Sequence, residues 1–97
     1  MRRQNSEQIG AVIAQFLREQ GLEKPFLEHK LIEAWPALMG PLVQKYTGNI
    51  EIKNGVLLVQ IKSAALRQEL FIARRQLIEK LNNEVGAEVI NDIRLLG

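Results

Sequence analysis

The sequence contains no cysteine and a single histidine, His29. The lack of cysteine excludes disulfides, thiolate nucleophiles and the commonest zinc sites, and one imidazole alone is a poor basis for a metal site. No apolar run approaches the roughly 18 residues that a membrane-spanning helix requires. We therefore expect a cytoplasmic protein that uses no metal or other cofactor and has no membrane partner.

Groups suited to catalysis are also scarce. Apart from Tyr46, the hydroxyl groups belong to Ser6, Thr47 and Ser63, and each of these lies at a predicted helix or strand boundary. His29 has no evident partner for a catalytic triad, and neither a phosphate-binding glycine-rich loop nor a dinucleotide fingerprint is present. We predict that the chain is not an enzyme and has no small-molecule substrate, which leaves binding to a macromolecule.

What the chain does contain fits one soluble domain over residues 1–97. Its 97 residues are 46% hydrophobic and 25% charged, and no repeat or linker interrupts them. The first five residues include Arg2 and Arg3 and are expected to form a mobile terminus.

A β-hairpin is the clearest local signal. Asn54-Gly55 separates two apolar runs, and this pair favours a two-residue turn in which both residues have positive φ. The turn predicts that Lys53 lies opposite Val56, so alternate residues of both strands face the core. These are Ile50, Ile52, Leu57, Val59 and Ile61.

One long amphipathic helix is predicted directly after the hairpin. Ser63 is suited to the N-cap because its hydroxyl can accept a hydrogen bond from a free amide of the first turn. Apolar residues then recur at helical spacing, and Gly86 is expected just beyond the end of this region. The stripe comprises Leu66, Leu70, Ala73, Leu77 and Leu81.

The remaining elements complete an α+β order of α-α-(short α)-β-β-α-β. A first helix, capped by Asn5 or Ser6, is expected to end at Gly21, and its apolar stripe comprises Ile9, Val12, Ile13, Phe16 and Leu17. A connector to Pro25 precedes a second helix over about 26–35, whose end is marked by Pro36 and Gly40-Pro41. One or two short helical turns are expected between and after these residues, before Thr47. Trp35 is expected to anchor the core and His29 to be solvated. A last strand over 89–96 is expected to run parallel to the second hairpin strand, giving a three-stranded sheet with helices on one face.

Positive charge is concentrated in the predicted long helix. Residues 62–80 contain five cations and two carboxylates, a local +3, whereas residues 81–97 have a local charge of −2. Arginines there alternate with large apolar residues, a pattern suited to phosphate contacts and base stacking. The candidate nucleic-acid-binding residues are Lys62, Arg67, Phe71, Arg74 and Arg75. Alternatively, the arginines only solubilise the helix, and Phe71 and Ile78 complete a broad core stripe, the interpretation we favour for Phe71.

The hairpin face opposite the core offers a second candidate surface. Val56 and Leu58 lie there among Glu51, Lys53 and Gln60. This mixed face favours either solvent or a protein partner, so Val56 and Leu58 are the candidate partner-binding residues.

The order of several sequence motifs resembles the DciA family, formerly a domain of unknown function. The resemblance covers about Leu31 to Leu95. Tyr46 stands where the family has the histidine of a His-Thr pair. The motifs are Trp35-Pro36-Ala37-Leu38-Met39-Gly40, Tyr46-Thr47, the strand Asn54 to Ile61 with its exit at Lys62-Ser63, then Leu66, Glu69-Leu70, the run Leu77 to Asn82, and Gly86.

This resemblance implies a bacterial DNA-replication protein, a loader or operator of the DnaB-type replicative helicase, with a K-homology-like fold. It implies single- or double-stranded DNA and the helicase as partners, although the GXXG loop of K-homology domains is missing. The alternative hypothesis is a protein-interaction module without nucleic-acid activity, which docks a partner or a second copy on the open sheet face.

Overall fold

The computed structural model describes the backbone of residues 3–97 and the side chains of residues 8–97. It is a mixed α+β structure, as predicted. Its elements are α1 (Arg3–Glu19), α2 (Glu23–Tyr46), β1 (Thr47–Lys53), β2 (Val56–Ile61), α3 (Ala64–Ile72), α4 (Arg74–Val85) and β3 (Asp92–Leu96).

None of the helices over 3–97 combines the length and the apolar character that crossing a membrane would require.

The hairpin of β1 and β2 has the predicted register. Lys53 lies opposite Val56, Ile52 opposite Leu57 and Ile50 opposite Val59. Asn54 and Gly55 have φ values of 51° and 78°, as a two-residue turn of this type requires. The local sequence therefore determined which face of the ribbon is buried.

β3 pairs in parallel with β2, which is the central strand of a sheet with the order β1-β2-β3. The parallel direction was predicted, but β3 begins at Asp92 and not at Val89. The residues before it are held by a side chain: the Asn82 Oδ1 accepts hydrogen bonds from the amides of Val89 and Ile90. This segment is therefore a loop tied to α4.

The core lies between one face of the sheet and helices α2, α3 and α4. β2 alternates between buried and half-buried residues, so the helices cover only one face of the sheet, as predicted. Trp35 is 1% exposed and anchors this core. The buried set comprises Leu31, Trp35, Val43, Leu57, Val59, Ile61, Leu70, Leu81, Ile90 and Ile93.

The prediction that the second helix ends at Pro36 is wrong. α2 begins at Glu23, so Pro25 lies in the first turn, where the missing N–H has no helical partner in any case. The helix continues past Pro36, where it loses one internal hydrogen bond, because burial of Leu31, Trp35 and Val43 outweighs that loss. The break is at Gly40, within the predicted end signal Gly40-Pro41, and its φ of 86° and ψ of 174° are essentially restricted to glycine.

The single long helix predicted after Ser63 is also wrong. Ser63 is the N-cap, and its Oγ accepts from the Leu66 amide at 3.2 Å. However, Ala73 has φ −91° and ψ 7° and separates α3 from α4. The two halves pack on different neighbours: α3 contacts β2 and β3, whereas α4 packs mainly on α2. Tertiary packing therefore produces a break that neither glycine nor proline signals in the sequence.

α1 differs most from expectation. It begins at Arg3, so neither Asn5 nor Ser6 is its N-cap, although it ends before Gly21 as predicted. Its predicted apolar stripe is largely exposed. Among the described elements, α2 is the one with which α1 makes more than marginal contact. Met1 and Arg2 lie outside the described residues, so mobility of residues 1–5 stays a prediction.

Candidate nucleic-acid interface

The outer edge of β3 is open. The Asn91 amide donates to the Gly55 carbonyl at 2.8 Å, so residue 91 directs its peptide groups toward β2. In a parallel pair this direction alternates along the strand, which places the peptide groups of Asp92, Arg94 and Leu96 at the unpaired edge. Such an edge presents hydrogen-bond donors and acceptors that an extended ligand can use.

A groove of about 470 Å³ follows this edge. Its volume falls within the range of ordinary ligand sites. One wall is β3 and the other is formed at the end of α3 and the start of α4, so the break at Ala73 shapes it. The lining residues are Phe71, Arg74, Asp92, Ile93, Arg94, Leu95 and Leu96.

Phe71 and Arg74 form one stacked unit in the groove. The guanidinium carbon of Arg74 lies 4.1 Å from the centroid of the Phe71 ring, a cation–π contact. The same guanidinium donates to the Phe71 carbonyl at 3.1 Å, near the end of α3. The Phe71 side chain is nevertheless 50% exposed, so the interpretation of Phe71 as a core residue is wrong. Ile78, by contrast, packs against the core.

The structure distributes the other predicted residues differently. Arg67 lies beyond one end of the groove, where its guanidinium donates to the Ile61 carbonyl and lies beside Gly97. Arg75 is exposed on the first turn of α4 but is not part of the lining. Lys62 packs its side chain beside Gly48 of β1, on the far side of β2 from the groove. Only Phe71 and Arg74 of the predicted set are brought together in the groove.

Sequence reasoning missed Arg94, the second arginine of the groove. Arg94 is exposed and lies opposite Leu58 in the β2–β3 register. Alternation along β3, with Ile93 buried, was the available signal for its exposure. The 69% exposure of Ile72, which lies at the helix break, was also missed, because a continuous helix gave no reason to expect an exposed apolar side chain there.

The charge of the groove is modestly positive. Arg74 and Arg94 contribute two cations, and Asp92 contributes one carboxylate, whose Oδ1 accepts from the Ile93 amide. Within residues 8–97, no three carboxylate or imidazole groups are clustered so as to hold a metal ion. The groove therefore offers an aromatic face, the Arg74 guanidinium and peptide edge groups, a combination suited to stacking with bases and pairing with phosphates. The Arg94 side chain starts from the uncovered face of β3, on the same side as Leu58, so it adds positive charge at the margin of the groove.

Val56 and Leu58 lie on the uncovered sheet face, as predicted, but both are only half-buried side chains among polar neighbours. Leu58 lines a shallow hollow with Glu51 and Gln60. The Gln60 side chain bridges this face, because it accepts from the Asn49 amide and donates to the Gly97 carbonyl. Leu96, which is 47% exposed, lines the same hollow and adds apolar surface to this face.

Comparison with known proteins supports the family resemblance that the order of the motifs indicated. The family model described as "Dna[CI] antecedent, DciA" matches residues 8–95. A UPF0232 protein of Mycobacterium leprae (strain TN) is 25% identical over 89 residues, which cover 92% of this chain and 47% of that protein. A UPF0232 protein of Corynebacterium glutamicum (strain R) is 24% identical over 92 residues, covering 95% and 52% respectively.

A third relative is named "UPF0232 protein in recF-gyrB intergenic region", from Mycolicibacterium smegmatis. It is 26% identical over 89 residues, which cover 92% of this chain and 46% of that protein. The chain thus spans about half the length of these curated relatives. Because the family model covers nearly the whole sequence, the chain belongs to the DciA family.

Proposed function

We propose that this chain binds single-stranded DNA along the groove between β3 and the α3–α4 break. The half-exposed Phe71 ring, stacked on Arg74 and facing an unpaired strand edge, is the observation that carries the proposal. Because the ring is already held in place, it loses little conformational entropy when a base stacks on it. Base–aromatic stacking contributes about 1–3 kcal/mol per base. The groove is an open strand edge, which suits an extended single strand better than a duplex.

Family membership supports the biological setting of this activity. We infer a role as an accessory protein of bacterial DNA replication that loads or operates a DnaB-type replicative helicase. A K-homology-like fold is part of the same inference, supported by the two helices between β2 and the parallel edge strand β3. The sequence has no GXXG loop of the kind with which K-homology domains clamp the nucleic-acid backbone, so side chains must supply the contacts to the nucleic acid.

The expected binding is weak and sensitive to salt. Arg74, Arg94 and Arg67 are the cations nearest the path of the strand, and Asp92 opposes them. If the three arginines neutralise three phosphates, the slope of log K against log salt concentration is about −2. Specificity for particular bases is expected to be low, because stacking tolerates every base.

The test is fluorescence anisotropy of a labelled oligothymidylate, titrated with the protein at about 50 mM and about 200 mM salt. We expect Phe71→Ala to weaken binding by about 5- to 160-fold, equivalent to about 1–3 kcal/mol. Arg94→Ala is expected to weaken binding and to reduce the salt slope by about 0.7. Arg94 is the cleanest arginine to change because it is exposed, whereas Arg74 also bonds to the backbone.

Matched control variants remove a phenylalanine ring or an arginine outside the groove. Phe26→Ala deletes a ring that is 40% exposed on α2, and Arg18→Ala deletes an exposed arginine of α1. Both controls should leave binding near wild type. Equal losses in Arg94→Ala and Arg18→Ala would exclude the groove, and no binding at low salt would exclude the activity.

A Leu58→Lys variant separates the alternative function. It should leave DNA binding nearly unchanged if the groove is the site. Loss of a protein partner or of self-association in Leu58→Lys, with no DNA binding by the wild type, would instead support the interaction module on the open sheet face.

A further inference from the structure

The apolar stripe of α1 has no partner within the described chain. Its four central side chains are 58%, 65%, 49% and 54% exposed, in the order Ile9, Val12, Ile13 and Phe16. None of them belongs to the core or packs against it. Leu17, which is half-buried, follows Ile13 by one helical turn and forms the margin of the stripe. The stripe is therefore available to another molecule.

The exposed area of this stripe is large for so small a chain. The four side chains together present roughly 400 Å² of apolar surface, within the range where exposed patches mark interaction sites. Two such stripes facing each other bury roughly 800 Å² before flanking residues contribute. That total is below the roughly 1,200 Å² of specific, stable interfaces, so the association we expect is weak and concentration-dependent.

We propose that α1 forms an antiparallel helix pair with α1 of a second copy of this chain. The spacing 9, 12, 13, 16 is symmetric about the midpoint between Val12 and Ile13. A two-fold axis at this midpoint places Ile9 opposite Phe16 of the other copy and Val12 opposite its Ile13, so every central contact is apolar. This is the isologous arrangement that two-fold dimers use.

Local shape and charge favour a second copy over other occupants. Ile9, Val12 and Ile13 line a shallow hollow with Gln8, and the symmetry brings the ring of the opposing Phe16 to it. Residues 8–17 contain no charged side chain, so two copies meet without like-charge repulsion. A membrane surface is disfavoured because interfacial helices carry a lysine- or arginine-rich polar face, and this segment has glutamine there.

The test is sedimentation equilibrium of the full chain from about 1 µM to about 500 µM, the range in which a weak dimer dissociates. The average mass should rise from the 11.0 kDa of the chain toward twice that value. Ile13→Glu should weaken dimerisation at least about tenfold, because it buries a charge at the two-fold axis. Ala11→Glu adds the same charge at an exposed position on the far side of α1 and should leave dimerisation unchanged.

A cysteine experiment tests the register, since the chain has no other thiol. A mixture of Ile9→Cys and Phe16→Cys chains should form the mixed disulfide faster than either chain forms its own. Faster Ile9→Cys self-pairing would overturn the antiparallel arrangement. A monomer at every concentration, or a dimer unaffected by Ile13→Glu, would overturn the proposal itself. Circular dichroism confirms that each variant is folded. Ile13→Glu should still bind the oligonucleotide, so a failure of the dimer proposal can be distinguished from a failure of the DNA proposal.

Discussion

At the scale of single residues, Trp35 shows how one polar group is accommodated in this core. The ring is 1% exposed, yet its Nε1–H donates to the Thr47 Oγ1 at 3.1 Å. The Thr47 hydroxyl in turn donates to the Val43 carbonyl at 2.7 Å. Thr47 therefore links the buried indole to the last turn of α2, at the point where the chain enters β1.

We expect Thr47→Val to lower the free energy of unfolding by about 1–3 kcal/mol. Valine has nearly the same shape and suits a strand, but it leaves the buried indole N–H without an acceptor. Thr47→Ser retains the hydroxyl and should cost less. Urea denaturation followed by fluorescence of the single tryptophan measures both, and equal losses in the two variants would contradict the role of this hydrogen bond.

At the scale of elements, Asn82 determines how α4 connects to β3. Its amide nitrogen donates to the Ile90 carbonyl at 2.8 Å, while its oxygen accepts from the amides of Val89 and Ile90. These hydrogen bonds satisfy the backbone around a buried isoleucine and deliver the chain to Asp92 in the register of the parallel pair. The groove depends on this register because β3 forms one of its walls.

Asn82→Ala is expected to cost at least about 2 kcal/mol of unfolding free energy, since it removes all three bonds beside a buried residue. Asn83→Ala makes the same change at the next, exposed position of α4 and should alter stability by less than about 0.5 kcal/mol. Chemical denaturation of the two variants measures and compares their free energies of unfolding. Similar midpoints for both variants would show that the loop is held by packing alone.

At the scale of the whole molecule, α1 lies apart from the body formed by the sheet and the other helices. The radius of gyration is 15.5 Å and the molecule measures 51 × 28 × 20 Å. A compact domain of this length has a radius of gyration of about 12–13 Å. The elongation agrees with the absence of every described α1 residue from the core.

Deletion of residues 1–20 should therefore leave a cooperatively folding remainder. At low micromolar concentration, where the proposed dimer is dissociated, we expect the unfolding free energy to change by less than about 1 kcal/mol. The radius of gyration from small-angle X-ray scattering should fall to about 12 Å. A non-cooperative transition in the truncated chain would instead show that α1 is needed for folding of the body.

Several elements were predictable because short-range physics governs them. Asn54-Gly55 specified the turn, and the turn specified the hairpin register. Ser63 specified the start of α3. Gly40-Pro41 marked the break in α2, whereas the break at Ala73 was not predictable in the same way, because it depends on how α3 and α4 meet different parts of the core. The candidate site was predicted in part: Phe71 and Arg74 were identified, whereas Arg94 joins them only through the pairing of β3 with β2.

The sequence by itself determined the α+β class, the hairpin register and the concentration of cations after Ser63, since turn chemistry and side-chain periodicity act over a few residues. It also indicated the parallel direction of β3, because a helical segment between two strands of one sheet makes a crossover connection. Tertiary structure alone decided which amphipathic stripes are buried. The stripe of α3 and α4 meets the sheet and α2, whereas the stripe of α1 meets solvent. Both have the same helical periodicity, and burial depends on whether a complementary face lies within reach of the folded chain.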